Sequence, residues 1–316
     1  MSGHEMLICF DGPKGTSDHR AISLFATVGE YEPLPMSSVA EVIQTVDHTR
    51  GCLGVVAVEN STEGELTTVT DKLIFDASRV RILDEAVLAE SMCAFGLGDT
   101  GSAATVVSHP LVLDLCSRFI RERGLRTRHV LSTAEACRVV AQENDLSQVA
   151  LAPLVVGKAS GLKLYEEAVL DVPEIRTRYV LIGQGLGVRS GRDRTALAIT
   201  PLTDTVGSLQ EIAETFRSCS VNMTSILSRP LQTKLGFHTF QITCDGHLLD
   251  DSVAAAVRSL LRDGHAVKHL GSFPRWGGVE VTTPFANLPL GSIDRSTAVD
   301  LSTSMLQIFG LGLDLS

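Results

Sequence analysis

Short apolar runs alternate with segments of helical spacing in the first third of the chain. The runs that predict strands are residues 7–10, 52–58 and 80–88, and the segments that predict helices are residues 17–28, 38–49 and 68–75. The run 52–58 is continuously apolar, as in parallel strands that are buried on both faces. This order of strands and helices predicts an α/β sheet.

The same alternation returns between residues 105 and 182. Strands are predicted over residues 105–107, 127–131, 148–152 and 179–182, and helices over residues 111–123, 134–143 and 155–160. Ser132 precedes the second of these helices, and Glu135 completes a capping box with it. The simplest assembly of these elements is two α/β lobes with a cleft between them.

A third block follows a segment that lacks core residues. Residues 183–194 are rich in Gly and Arg, which predicts a domain boundary. Beyond them, strands are predicted over residues 195–201, 222–229, 237–244 and 267–273, helices over 208–219 and 250–262, and a turn at 232–236. The order βαββαβ is that of a ferredoxin-like unit.

Composition restricts the classes of function. Hydrophobic residues make up 44% and charged residues 20% of the 316-residue chain, which is typical of globular domains, and the length predicts two or three compact units. The formal net charge is −10, and there are three Tyr and one Trp, so no basic or stacking surface for nucleic acid is expected. We therefore expect a ligand to bind in a pocket.

Localisation is predicted from the apolar runs and the cysteines. No run has the length of a membrane-spanning helix, and the polar N-terminus does not resemble a signal peptide. The seven cysteines stand singly, without a CxxC pair, which favours a reducing compartment. These features predict a cytoplasmic protein that does not bind membranes.

Four polar segments lie where the predicted strands end or begin. They are Gly12-Pro13-Lys14-Gly15-Thr16, Glu59-Asn60-Ser61, Ser108-His109-Pro110 and Arg176-Thr177-Arg178-Tyr179. Such positions suit anion binding, ligand hydrogen bonds and carboxylate clamping by arginine. Each also has an ordinary interpretation: a Gly-Pro turn, a helix cap, a hydrogen-bonding histidine, or solvated arginines. No metal-ligand spacing or nucleophile elbow occurs, which disfavours a metal or covalent mechanism.

In this order the motifs resemble those of the prephenate dehydratases, from Phe10 to about Arg275. The matching segments are Gly12-Pro13-x-Gly15-Thr16, Val58-Glu59-Asn60-Ser61-x-x-Gly64, Ser108-His109-Pro110, Ser132-Thr133-Ala134, Thr177-Arg178-Tyr179, Gly207-Ser208-Leu209 and Ser228-Arg229-Pro230. The resemblance implies a two-lobed, periplasmic-binding-protein-like catalytic domain over residues 5–184, with its second lobe at about 90–168. It also implies a ferredoxin-like ACT regulatory domain over residues 194–278, followed by a tail at 279–316.

The resemblance also implies a chemistry. A prephenate dehydratase is a carbon–oxygen lyase that converts prephenate to phenylpyruvate, CO2 and water without a metal or another cofactor. Thr177 would donate a proton to the departing hydroxyl group, and Arg178 would bind a carboxylate. Seven further residues would bind the substrate: Thr16, Glu59, Asn60, Ser61, His109, Ser132 and Thr133.

A phenylalanine effector site and a homodimer or homotetramer are implied in the same way. The expected effector-binding residues, contributed by neighbouring subunits, are Gly207, Ser208, Leu209, Asn222, Leu227, Ser228, Arg229 and Pro230.

Departures from the family pattern leave two alternatives open. Ser17 and Tyr179 stand where the family usually has Phe, and Val172 and Ile175 where it usually has Asn. Related prephenate decarboxylases, which do not aromatise the ring, also have Ser after this loop, and a non-enzymatic amino-acid sensor is a second alternative. In the regulatory unit Ser208 replaces an alanine and Leu227 replaces a glutamate, which predicts weaker binding of phenylalanine. The retained Asn60 and Thr177 motifs favour the dehydratase.

Overall fold

The computed structural model describes residues 6–25, 29–98, 103–201, 207–231 and 237–277. Its strands are β1 Met6–Asp11, β2 Tyr31–Met36, β3 Leu53–Asn60, β4 Gly64–Glu65, β5 Val80–Glu90, β6 Met92–Gly96, β7 Thr105–Ser108, β8 Arg126–His129, β9 Gln148–Pro153, β10 Lys163–Glu166, β11 Ile175–Gln184, β12 Asp193–Thr200, β13 Met223–Pro230, β14 His238–Asp245 and β15 Ala266–Pro274. Its helices are α1 Ser17–Ala21, α2 Val39–His48, α3 Thr67–Asp71, α4 Pro110–Leu115, α5 Ser117–Glu122, α6 Thr133–Glu143, α7 Leu154–Ala159, α8 Ser208–Ser218 and α9 Asp251–Arg262.

A large mixed sheet contains strands of the first lobe and of the third block. In the described part of the chain its strand order is β13-β14-β12-β15-β5-β11-β3-β1-β2, with β4 beside β3. The strand β3 is parallel to β1 but antiparallel to β11, so the apolar run that predicts a parallel neighbour is parallel on one side only. Its burial comes from covered faces and does not depend on strand direction.

The second lobe is a separate sheet with the order β10-β6-β9-β7-β8 among the described residues. The chain leaves the large sheet at the end of β5 and returns to it at β11, between β5 and β3. Both lobes are α/β, as predicted. The helix predicted over residues 111–123 is interrupted at Cys116, and the one predicted over 17–28 becomes α1 followed by a 3-10 turn at Ile22–Leu24.

The βαββαβ order of the third block is confirmed. Its helices cover one face of its strands, where Ile212 and Phe216 pack with Leu197 and Ile242. Its other face contributes Ala196, Ala198, Leu270 and Phe273 to the core of the first lobe. The described residues of both parts therefore belong to one compact unit, which spans residues 1–279.

The sheet is continuous at one narrow contact. β15 lies parallel to β5, with Gly271 opposite Ile82. A Cβ atom on Gly271 would lie 2.3 Å from the Ile82 carbonyl oxygen, so only glycine allows this approach. The segment 183–194, which predicts a boundary, thus joins two parts of one sheet. The predicted turn at 232–236 and the tail 279–316 lie outside the described residues.

Candidate active site

Strand β11 separates two cavities. Because consecutive side chains of a strand lie on opposite faces, Thr177 and Tyr179 line one cavity and Arg178 and Val180 line the other. The first, here called the cleft, has a volume of about 310 Å³, and the second, here called the Arg178 cavity, has a volume of about 270 Å³. The two predicted catalytic residues therefore do not share a site.

The cleft brings together residues from distant parts of the chain. Those predicted from the sequence are Thr16, Asn60, His109, Ser132, Thr133 and Thr177. They come from the loop before α1, the end of β3, the starts of α4 and α6, and β11. Strand ends and helix starts from both lobes converge here, because β11 returns between β5 and β3.

The hydroxyl group of Thr177 has a defined orientation. The Nδ2 group of Asn60 donates a hydrogen bond to Thr177 Oγ1 at 3.0 Å, and both residues are buried. Asn60 Oδ1 accepts from the Thr62 amide at 2.9 Å, which assigns the amide orientation of Asn60. Since Thr177 Oγ1 accepts this bond, its own proton remains for a ligand.

Three of the cleft residues are helix caps, so their side chains have a structural role in the fold. Ser132 Oγ accepts from the Glu135 amide at 3.1 Å at the start of α6, and Thr16 caps α1. His109 Nδ1 accepts from the Leu111 amide at 3.3 Å, which leaves the proton of the neutral ring on Nε2. The eleven-residue α6 begins at the cleft with free amides that favour anions.

Carboxylates in the cleft are the feature that the sequence analysis missed. Asp11, Asp18 and Glu90 line it, and no Lys or Arg does among the described residues. Burial, together with the nearby charges of Asp11 and Glu90, raises the pKa of Asp18 to about 7. Glu90 accepts from Ser17 Oγ at 2.6 Å and pairs with Arg20.

Two of the three missed carboxylates, Asp18 and Glu90, differ in how they could have been found. Asp18 lies two residues after the loop that is predicted to bind an anion, so an acidic residue beside that loop is a signal that the sequence does carry. Glu90 ends β5 and meets Ser17 only in the folded chain, and no local pattern marks it.

Arg178 of β11 and Glu59 of β3 lie on the face of the sheet that points away from the cleft, and both line the Arg178 cavity. Arg178 Nε donates to Glu59 Oε2 at 2.8 Å, and its Nη1 donates to Glu85 Oε2 at 3.1 Å. The structure therefore does not place Arg178 or Glu59 where the predicted contacts with the substrate would be made. It also contradicts the interpretation of Arg178 as a solvated arginine, since its partner Glu85 is only 3% exposed.

Ser61 does not line the cleft either. Its amide donates to the Arg176 carbonyl at 2.8 Å, and its Oγ accepts from the Arg176 amide at 3.0 Å. These two bonds hold the end of β3 against the start of β11, so Ser61 positions Asn60 and Thr177 relative to each other.

The predicted effector-binding residues form two groups. Gly207, with φ of +99°, precedes α8, where Ser208 is buried and Leu209 is exposed. Asn222 precedes β13 and donates to Asp245 at 2.8 Å, while Leu227, Ser228, Arg229 and Pro230 lie on β13, the last strand of the sheet. The first group lies at the start of α8, which follows β12, and β14 separates β12 from β13 in the sheet.

Arg229 has a partner in the first lobe. Its Nε and Nη2 groups donate to the two carboxylate oxygens of Asp71, each at 2.6 Å. Asp71 ends α3, so this bidentate pair joins the βαββαβ unit to the first lobe. The Arg229 guanidinium is therefore engaged within the chain.

Sequence comparisons find related proteins over most of the chain. A family model described as prephenate dehydratase matches residues 8–185. A prephenate dehydratase of Methanocaldococcus jannaschii is 29% identical over 266 residues, which cover 83% of this chain and 96% of the relative.

Solved structures share the fold. The crystal structure of prephenate dehydratase in complex with L-Phe from Arthrobacter aurescens matches with a TM-score of 0.77 at 26% identity, over 85% of this chain and 90% of that chain. GqqA, described as a novel type of quorum quenching acylase, matches with a TM-score of 0.75 at 23% identity, over 86% of this chain and 98% of that chain, and shows the fold alone. Because the family model spans more than half of the chain, this protein belongs to the prephenate dehydratase family.

Proposed function

We propose that this chain is a prephenate dehydratase, which converts prephenate to phenylpyruvate, CO2 and water. The observation that carries the proposal is the Thr177 hydroxyl group, oriented by Asn60 in a cleft that polar side chains from both lobes line. The family membership and the relatives that act on prephenate support it.

The reaction needs positioning and one proton. The bond between the ring and the carboxylate breaks, its electrons complete the aromatic ring, and the bond to the hydroxyl group breaks as that group takes up a proton and leaves as water. Aromatisation supplies much of the driving force. The enzyme must hold the carboxylates and place an acid at the hydroxyl group.

Thr177 is the proton donor in this proposal. Its Oγ1 accepts from Asn60, so its proton is directed to the departing hydroxyl group. Asp18 lines the same cleft, and a carboxyl group with a pKa of about 7 is half protonated near neutral pH. In this proposal Asp18 is the acid of the cleft from which Thr177 regains its proton.

Neutral donors bind the two carboxylates of the substrate. The start of α6, with Ser132 and Thr133, and the Nε2 proton of His109 are available in the cleft. Arg178 has a positioning role, because it holds β11 against Glu59 and Glu85 from the opposite face. Because prephenate carries two negative charges, it binds more weakly when Asp18 has lost its proton and is itself negatively charged.

Asp18 is also the observation that favours the second candidate function, a prephenate decarboxylase. Removal of CO2 without aromatisation requires a proton on a ring carbon and retention of the hydroxyl group. Asp18 lines the cleft two residues after the Gly12–Thr16 motif and next to Ser17, which is itself a departure from the dehydratase pattern. The second candidate function is therefore a prephenate decarboxylase.

Incubation of the full chain with prephenate distinguishes the candidates. A dehydratase forms phenylpyruvate, which absorbs in alkali, while a decarboxylase forms a non-aromatic product that does not. A sensor leaves prephenate unchanged. The proposal is supported if Thr177→Ser retains part of the phenylpyruvate formation and Thr177→Val has none. Unchanged turnover in Thr177→Val contradicts it.

We infer in addition that L-Phe regulates the activity through an assembly of two or four chains. Gly207 allows close approach of a ligand to the start of α8, and the Arthrobacter aurescens relative is in complex with L-Phe. Calorimetric titration of L-Phe into wild type and Gly207→Val tests this. Equal binding by both proteins would exclude this loop.

A further inference from the structure

The Arg178 cavity has an apolar floor and a polar rim. Leu73, Val180, Leu270 and Phe273 line its floor, from the segment after α3 and from β11 and β15. Thr224, Thr243 and Gln241 line it from β13 and β14, in the βαββαβ unit. A concave space of this kind, with a few convergent polar groups, is the usual form of a small-molecule site. Its volume of about 270 Å³ suits a small ligand.

Two carboxylates at the rim lie directly opposite each other. Glu59 and Glu65 are register partners in the antiparallel pair of β3 and β4. Arg178 forms an ion pair with Glu59, and its charge also acts on Glu65, which has no hydrogen-bond or ion-pair partner of its own among the described residues. Burial and the charge of Glu59 raise the pKa of the Glu65 carboxyl group. Like charges in directly opposite positions destabilise a strand pair, so this end of the cavity favours a cation.

Two further atoms beside the cavity lack partners. Gln241 Oε1 and Arg194 Nε are buried without a hydrogen bond, although each residue lines the cavity. The first atom is an acceptor and the second a donor. A buried polar atom without a partner is costly, and a ligand that supplies both a donor and an acceptor would satisfy the two atoms.

We propose that the Arg178 cavity binds a small apolar ammonium compound of the size of an amino acid. Its ammonium group lies between Glu59 and Glu65, its apolar body lies on Leu270 and Phe273, and an acceptor group of the ligand takes the Arg194 Nε proton. Prephenate carries no ammonium group, so this site is distinct from the cleft and is independent of the proposed reaction.

The probes for this site are matched by charge. L-leucine and L-phenylalanine have both an ammonium and a carboxylate, phenethylamine has only the ammonium, and 3-phenylpropionate has only the carboxylate. In calorimetric titrations of the full chain, we expect the ammonium-bearing probes to bind and 3-phenylpropionate not to bind. Glu65→Gln keeps the shape of the side chain and removes the charge, and we expect it to weaken binding about tenfold or more.

Two further variants complete the test, one of them a control. Glu63→Gln removes an exposed carboxylate two residues away that does not line the cavity, and we expect it to bind as wild type does. Gln241→Leu fills the position of the unpartnered oxygen and should also weaken binding, while the protein stays folded. Absence of binding by every ammonium-bearing probe, or equal affinity in wild type and Glu65→Gln, would overturn the proposal. Binding that Gly207→Val abolishes and Glu65→Gln preserves would assign the ligand to the start of α8 instead, and would equally overturn it.

Discussion

The carboxylates on the two faces of β11 differ in whether arginines pair with them. In the Arg178 cavity, Glu85 is 3% exposed and is paired with Arg178 and Arg194, and it also accepts from the Trp276 amide. In the cleft, Asp18 lies near Asp11 and Glu90, and no Lys or Arg side chain lines that cavity in the described part of the chain. Glu85 is therefore paired on its face of β11, whereas the carboxylates that line the cleft keep a surplus of negative charge.

This difference suits one face of β11 to stabilising the fold and the other to the proposed reaction. A buried carboxylate that accepts from two arginines and an amide holds the strands that carry these groups together. A carboxyl group whose pKa is raised by burial and by like charges is a proton source near neutral pH. Thr177 and Arg178 are consecutive residues, so a strand of alternating side chains places these two functions one residue apart.

The largest effect is expected for Thr177→Ala. Loss of the proton donor should lower kcat by about 10² to 10⁴-fold, because general acids contribute that much, and should change the KM for prephenate little. Steady-state rates of phenylpyruvate formation measure both constants. If the variant retained the wild-type kcat, Thr177 would not be the proton donor.

Replacement of Glu85 tests the paired carboxylate of the Arg178 cavity. Glu85→Ala leaves Arg178 and Arg194 without their shared carboxylate, and breaking a buried ion pair costs about 3–5 kcal/mol. Urea unfolding should show this loss, whereas the same change at the exposed Glu63 should alter the free energy of unfolding by less than about 0.5 kcal/mol. Similar values for the two variants would contradict the distinction between the faces.

The variant Asp18→Asn tests the surplus of negative charge in the cleft, through the pH dependence of kcat. The groups around Asp18 are Asp11, Glu90 with its partner Arg20, and Tyr179. In wild type, kcat should fall as pH rises through about 7, because the protonated Asp18 is the form that donates, and the variant should be slow and lack this transition.

The stability of the same variant tests independently whether the fold raises the pKa of Asp18. Because the folded state raises the pKa of Asp18, it binds this proton more tightly than the unfolded state does. The stability of wild type therefore falls as pH rises from the unfolded pKa to about 7, and the Asp18→Asn variant avoids this loss because its amide does not titrate. The gain in Tm from Asp18→Asn should be larger at pH 8 than at pH 5, and an equal gain at both would contradict the raised pKa.

The smallest effect compares two equivalent caps. Ser132 and Ser38 each accept from the amide of a glutamate three residues later, at 3.1 Å for Glu135 and 3.3 Å for Glu41. Each change to Ala should cost about 1 kcal/mol of stability. Ser132→Ala should in addition raise the KM for prephenate, because Ser132 lines the cleft. Equal KM values for the two variants would limit Ser132 to capping.

The elements of the fold that could be predicted are those with a local pattern. The two α/β lobes and the βαββαβ order follow from apolar periodicity and are confirmed. The strand β2 could not be predicted, since Pro33 and Pro35 argue against a strand, yet β2 is the last strand of its sheet, where proline is tolerated. The strand β6 follows β5 after one residue, so the pattern does not show that the chain passes into a different sheet there.

Features that depend on neighbouring residues could be taken from the sequence alone. Ser132 with Glu135 and Ser38 with Glu41 make their capping bonds within three residues, so the chain carries all the information for them. The motifs that supply Asn60 and Thr177 are likewise contiguous, and they carried the family resemblance.

Which charges meet was settled by the arrangement of the strands. Arg178 meets two carboxylates because β3 and β5 flank β11 and present Glu59 and Glu85 on the same side as Arg178. Glu90 reaches the cleft from the end of a strand that lies 73 residues from Ser17 and 70 residues from Arg20 along the chain. Capping bonds depend on chain spacing, whereas the environment of a carboxylate depends on which strands lie beside it and on how much water they exclude.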